Sequence, residues 1–249
     1  MPGWSLADRK WFRTSIKKLK RLETVDRTPP ETSTGVYVRT LGFIKEKYNF
    51  DIANDCITLA LKRKRSTKPL NILDAGAGFG FISAELVAKF RNAVNVTALG
   101  LNPRVSFKRV KQLIDVSLAS DEWYANADSQ RLYHAQKALP EYEKNIGKVK
   151  RVISRFENYK TKEKYDVIFS LFGPHFYSPF KRRVAEQLFN LLKPGGQIIT
   201  ITALYDLDRS RAFFDPKSRH SQRSGYYLKL TKTTKNLFFY KKVKVAKTK

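Results

Sequence analysis

The stretch from Asn71 to Val87 constrains the fold more than any other part of the chain. It reads Asn71-Ile72-Leu73-Asp74-Ala75-Gly76-Ala77-Gly78-Phe79-Gly80 and continues into the helical pattern Phe81-Ile82-Ser83-Ala84-Glu85-Leu86-Val87. A strand that feeds a glycine turn and then a helix brings backbone N–H groups and the positive helix end close to a ligand. Glycine suits such a turn because a side chain would block the approach. A dinucleotide fingerprint would set its third glycine at Phe81. Here it is Gly80, and Asp74 stands two residues before the first glycine.

From Pro69 onward, apolar runs alternate with helical patterns. Strand-like runs fall at Asn71–Asp74, Val94–Leu101, Val149–Ser154, Asp166–Leu171 and Gln197–Thr202, with helical stretches between most of them. Such alternation predicts a parallel sheet with crossover helices on both faces. Leu113–Lys148 is longer than one crossover helix requires and has room for two. Tyr226–Leu230 and Leu237–Val245 are β-rich runs separated by only six residues, so they pair antiparallel as a hairpin on the sheet edge.

The 249 residues carry 49 Lys+Arg against 22 Asp+Glu, a formal charge of +27, with 42% hydrophobic residues. That apolar content supports a real core, so the charge does not mark a disordered basic tail. The length fits one α/β domain with extensions. Residues 1–70 hold 16 basic and 7 acidic groups, residues 71–200 hold 20 and 12, and residues 201–249 hold 13 and 3. The surplus is heaviest on the flanks, as expected of surfaces that meet a polyanion; the other reading is solvated Lys-rich faces.

The first 24 residues read as a basic amphipathic helix, with Phe12, Ile16 and Leu19 on one side and Trp4 and Trp11 as anchors. Thr28–Gly35 breaks regular structure as a linker, and a second helical stretch is expected over Asn49–Lys62. No apolar run approaches the roughly 20 residues a membrane-spanning helix needs, and the N-terminal residues lack the apolar stretch of a secretory signal. The single Cys56 forbids an internal disulfide and a multi-cysteine zinc site, and no metal is expected. A cytoplasmic location is the simplest expectation; the N-terminal helix leaves a mitochondrial one open and Lys62-Arg63-Lys64-Arg65 a nuclear one.

The acidic residue followed by GxGxG resembles motif I of the class I S-adenosylmethionine-dependent methyltransferases. Two further stretches match in order: Tyr165–Ser170 looks like that fold's fourth strand, and Leu191-Leu192-Lys193-Pro194-Gly195-Gly196 like its turn into the fifth. The resemblance covers about residues 65–245. It implies a Rossmann-like α/β fold: a seven-stranded, mostly parallel sheet with helices on both faces and an antiparallel C-terminal hairpin. Residues 36–249 would form this domain, and residues 1–35 a basic helical extension and linker.

The resemblance also implies that S-adenosylmethionine is the cofactor. It would be held by Asp74, the backbone of Ala75, Gly76, Gly78 and Gly80, and Ser170 at the end of the fourth strand. The chain departs from the family at two points. Gly100 occupies the slot of the ribose-binding carboxylate, which leaves Asn102 to reach round. Arg155 stands where the adenine-side Asp is usual, so Glu157 is the candidate for the adenine amino group, with Phe156 packing on the ring.

The acceptor is read largely from what is missing. Cys56 lies far upstream of the fourth strand, against cytosine carbon-5 chemistry. The Ser170-Leu171-Phe172-Gly173-Pro174-His175-Phe176-Tyr177 loop lacks the acidic or double-proline sets of the amine, arginine and ribose methyltransferases. It offers Phe172 and Tyr177 to stack a base and His175 as a general base or donor, followed by Lys181, Arg182 and Arg183 to grip phosphates. After the fifth strand, Arg209, Arg211, Arg219 and Arg223 extend this cationic rim. RNA, more readily its bases than its ribose, is therefore the expected partner; a ring nitrogen such as guanine N7 needs no strong base. Two alternatives stay open: a methyltransferase-like RNA-binding or assembly protein with a decayed pocket, and an enzyme acting on a protein or small molecule. Oligomeric state is not legible in the sequence.

Overall fold

The structure is a computed structural model, and it describes residues 38–64, 66–100, 106–119, 125–171, 173–174, 181–201, 203–204, 211–234 and 237–246. By internal contacts the chain divides into Met1–Val36 and Tyr37–Lys249. The expected N-terminal helix and linker lie outside the described residues, as do Asn102, Phe172, His175, Tyr177 and Arg209.

Seven strands form one sheet in the order β3-β2-β1-β4-β5-β7-β6. They are β1 (Leu70–Ala75), β2 (Val94–Gly100), β3 (Lys150–Ile153), β4 (Tyr165–Ser170), β5 (Leu192–Thr200), β6 (Tyr226–Thr234) and β7 (Leu237–Lys244). The first five run parallel, and β7 lies antiparallel between β5 and β6. This is the seven-stranded, mostly parallel, hairpin-ended α/β sheet expected from the sequence.

β1 sits at the centre, and five of its six residues are buried, because helices cover it from both sides. Side chains alternate along it. Leu73 and Ala75 join the core formed with α6 (Lys181–Leu191), through Val184, Leu188 and Phe189. Asp74 points the other way, toward α3 (Phe81–Phe90), whose Ser83 hydroxyl donates to it at 2.8 Å. The long segment between β2 and β3 does hold two helices, α4 (Phe107–Ala119) and α5 (Ala125–Ile146).

Upstream of β1 the structure differs from the reading of one helix over Asn49–Lys62. Helix α1 (Leu41–Tyr48) comes first, with the Thr40 hydroxyl accepting from the Phe43 N–H at 3.1 Å, and it ends on Asn49 at φ 49°. Asp51 then caps a wide π-helical stretch, Ile52–Thr58, which runs into α2 (Leu59–Arg63). In it the Thr58 hydroxyl donates five residues back, to the Ala53 carbonyl at 3.0 Å. The LKPGG segment is a bulge within β5 rather than a turn before it. Leu192 pairs with Tyr165 and Gln197 with Val167, so the four residues Lys193–Gly196 stand against the single Asp166.

Candidate functional site

Strand order reverses between β1 and β4, since the chain leaves β1 toward β2 and β3 and returns to β4 and β5 on the opposite flank. In an open α/β sheet the crevice at such a switch point, beyond the carboxyl ends of the strands, is where ligands bind. The glycine turn follows β1 at this place.

Three positive φ angles shape the turn: 86° at Gly76, 56° at Gly78 and 87° at Gly80. Each is a conformation that residues with a Cβ rarely adopt. The N–H groups of Gly76 and Ala77 donate to the Leu99 carbonyl of β2 at 2.8 and 3.0 Å, and Gly80 donates to Ala77 at 2.8 Å. Among the described residues the N–H groups of Gly78 and Phe79 make no main-chain bond. From behind, the Tyr142 hydroxyl of α5 donates to the Phe79 carbonyl at 3.0 Å, and its ring stacks on Phe81 with centroids 4.3 Å apart.

The loop after β4 closes on this turn backbone to backbone. A Cβ on Gly76 would lie 2.5 Å from the Gly173 Cα, and one on Gly173 would lie 2.1 Å from the Ala75 carbonyl oxygen and 2.8 Å from the Ser170 hydroxyl. Ser170 itself is fully buried beneath this contact. Gly173 was not among the residues singled out from the sequence, because its need appears only when the two loops meet.

Gly100, at the end of β2, faces the same turn. A Cβ there would rest 3.5 Å from the Ala77 nitrogen and 3.6 Å from that of Gly78, ordinary van der Waals distances. The position therefore has room for a side chain it does not carry.

Asp74 is buried, and burial pushes its carboxyl up to about 6, against the opposing pull of the Ser83 bond and the Arg39 charge. Arg39 comes from the segment leading into α1, and sequence reasoning missed it. The next turn of α3 anchors that same segment: Glu85 accepts the Leu41 N–H at 2.7 Å, and burial, with Glu141 nearby, raises its carboxyl to about 7. The buried Asp74, the half-buried Glu85 and Arg39 thus tie α1, β1 and α3 together beside the glycine turn.

On the β3 side, the Ser154 N–H donates to the Gly100 carbonyl at 3.2 Å, and Phe156–Asn158 forms a 3₁₀ turn. Glu157 is half-buried there. Phe156 is 4% exposed and packs in the core with Leu73, Leu99 and Leu188, so it forms the floor of the crevice rather than an open face for stacking. Arg182, Arg183, Arg219 and Arg223 are exposed; Lys181 opens α6 and Arg211 opens a 3₁₀ turn. Cys56 is buried on the helical segment upstream of β1, and burial raises its thiol to about 12, which removes it as a nucleophile.

A separate cleft of about 950 Å³ lies at the amino ends of the strands, lined by Asn71, Asn95, Thr97, Arg91, Lys144 and Lys148 among others. It marks where α3 and α5 end, and its cations offset the negative ends of those helices. The described residues contain no cluster of three or more His, Cys, Asp or Glu suited to a metal ion, and no helix long and apolar enough to cross a membrane.

No family model matches the chain, and no curated protein does. Among solved structures it is similar to TrmN from Thermus thermophilus, at 16% identity and TM-score 0.36 over 75% of this chain and 48% of that one. It is also similar to a SAM-dependent methyltransferase from Thiobacillus denitrificans in complex with S-adenosyl-L-homocysteine, at 17% identity and TM-score 0.33 over 59% and 46%. A third is CalS10, an amino pentose methyltransferase from Micromonospora echinaspora, at 17% and 0.35 over 60% and 50%. The chain spans half or less of the length of each.

Proposed function

We propose that this chain is an S-adenosylmethionine-dependent methyltransferase that acts on RNA. The observation that carries the first half is the glycine turn at the switch point: three left-handed glycines, the N–H groups of Gly78 and Phe79 outside the main-chain bonding, and Gly173 pressed against Gly76. A left-handed glycine turn at the switch point lets backbone N–H groups approach a ligand closely, and it fits a cofactor whose amino-acid moiety is read by backbone.

In this reading Asp74, with Arg39 beside it, fixes the turn next to the methionine moiety. The N–H groups of Gly78 and Phe79 face the cofactor, and Glu157 is the acceptor for its adenine amino group. When bound, the cofactor supplies an activated methyl on a sulfonium. Because the transfer is a direct displacement, the work left to the protein is alignment and exclusion of water. The buried floor of Phe156, Leu99 and Ala75 supports that role. RNA as acceptor is supported by the +27 charge and by the exposed Arg182, Arg183, Arg219 and Arg223.

Gly100 favours a second reading, an RNA-binding protein with the fold but a weakened pocket, since no side chain there can accept the ribose hydroxyls. Calorimetry with S-adenosylmethionine separates the two. Micromolar binding, followed by labelled methyl appearing in nucleosides digested from incubated RNA, supports the enzyme; no heat at millimolar cofactor leaves only the binding role.

A further inference from the structure

We propose that the exposed face of the β6–β7 hairpin, carrying Lys229, Lys232 and Lys241 beside Tyr227, is a contact surface for the RNA phosphate backbone, set apart from the methyl-transfer crevice. The proposal rests on the RNA half of the functional reading and adds where the backbone is held.

The register carries the argument. Lys229 on β6 stands directly opposite Lys241 on β7, and Tyr227 opposite Val243, so all four side chains share one face. Opposed residues in an antiparallel pair hold their Cβ atoms roughly 5 Å apart, and like charges so placed destabilise the pair. Both lysines are exposed, and neither forms an ion pair among the described residues. Within the chain that forms the hairpin itself there is no counter-charge, because no Asp or Glu follows Asp215.

Protection of a sheet edge explains lysines on β6, the outermost strand. It does not explain Lys241. β7 is bonded on both sides, by β5 and β6, and has no edge to protect. A cationic pair on an interior strand, with no ion partner among the described residues, fits a surface whose counter-charge arrives with a partner.

The surroundings extend the same face. After the bulge at Thr231, Lys232 lies opposite Phe239, and its ammonium sits 5.8 and 5.7 Å from the centroids of Phe50 and Phe239. Lys241 neighbours the neutral Gln197, whose side chain reaches Cys56 at 3.9 Å. The helical segment on this face carries Asp51 and Asp55, but Asp51 is engaged by Lys45 and Asn54, and Asp55 accepts the Asp51 N–H. Tyr227, half-exposed beside Lys229 at the end of the row, offers a ring to a base. β7 is three strands from β1, roughly 14 Å away at the usual strand spacing. One RNA could therefore touch the hairpin while presenting a nucleotide to the crevice.

The test uses the full chain and a fluorescein-labelled 20-nucleotide RNA, with anisotropy followed between 50 and 200 mM KCl. The variant K229A/K241A should lose about 1.4–1.8 from the slope of log K against log salt, at roughly 0.7–0.9 per phosphate contact. Its cofactor affinity should be unchanged and its Tm equal or higher, while K229R/K241R keeps the wild-type slope. A wild-type slope in K229A/K241A, beside steep wild-type binding, overturns the hairpin and leaves the RNA reading standing. If the wild-type chain does not bind RNA, the RNA reading fails first. Polyglutamate bound as tightly as RNA, with the same loss in the variant, overturns the proposal in favour of an acidic protein partner.

Discussion

Restoring a carboxylate at Gly100 tests the cofactor reading most directly. Gly100 has no positive φ, and its virtual Cβ makes only ordinary contacts, at 3.5 and 3.6 Å from two backbone nitrogens. Gly100→Asp should therefore fold, and the neighbouring N–H groups would help to solvate the new charge. If the ribose hydroxyls lie over this position, the carboxylate gains a charge-assisted hydrogen bond, worth about 1.5–3 kcal/mol. That corresponds to roughly 10- to 150-fold tighter S-adenosylmethionine binding at 25 °C. Titration calorimetry reads the change, with S-adenosylhomocysteine as a second ligand that isolates the ribose from the methyl. Gly100→Asn, nearly the same shape without the charge, should recover only part of it. The reasoning is refuted if Gly100→Asp binds no tighter than wild type while its Tm stays within a few degrees. The ribose would then not lie over β2, and the slot inferred from the strand alignment would be wrong.

The remaining predictions concern the parts that hold the crevice together. Gly173→Ala drives a Cβ to 2.1 Å from the Ala75 carbonyl, so the two loops must part; overpacking of this kind costs about 1–3 kcal/mol, and we expect a Tm several degrees lower and at least tenfold weaker cofactor binding, read by scanning calorimetry and titration. Gly78→Val, at φ 56°, should abolish cofactor binding while the circular dichroism of the sheet is retained. Tyr142→Phe removes the donor to the Phe79 carbonyl and should cost about 1 kcal/mol in urea titration, with weaker cofactor binding from a looser turn. Asp74 and Glu85 have folded carboxyls raised to about 6 and about 7, so the native state binds more protons than the unfolded chain between about pH 4 and 7. Stability should then rise as pH falls from 8 toward 5, and Glu85→Gln should flatten the upper part of that profile in Tm measured against pH.

The parallel sheet and its turn were legible because they rest on local signals. β1 reads as an apolar run that ends at an acid and a glycine, and the three glycines could be placed before any contact was known. The hairpin was legible for the same reason, since six residues between two β-rich runs leave no room for a crossover. What escaped is non-local. Arg39 reaches Asp74 from upstream of the whole sheet, through a segment whose anchor, the Leu41 N–H on Glu85, joins residues 44 apart in sequence. Gly173 looks like any loop glycine until β4 sets it against Gly76. Phe156 stands beside the expected adenine site in sequence, but its burial in the core is a property of the packed layers, and no neighbour in sequence reports it. Lys229 and Lys241 belong to the same class. Lys241 stands in a terminal basic run that the sequence already marks as part of the cationic surface, but only the strand register sets it opposite Lys229 in a pair that costs stability. The glycine turn marks where a cofactor would sit, whereas the arginine, the second loop and the paired lysines, which decide how tightly anything is held, are assembled by the fold.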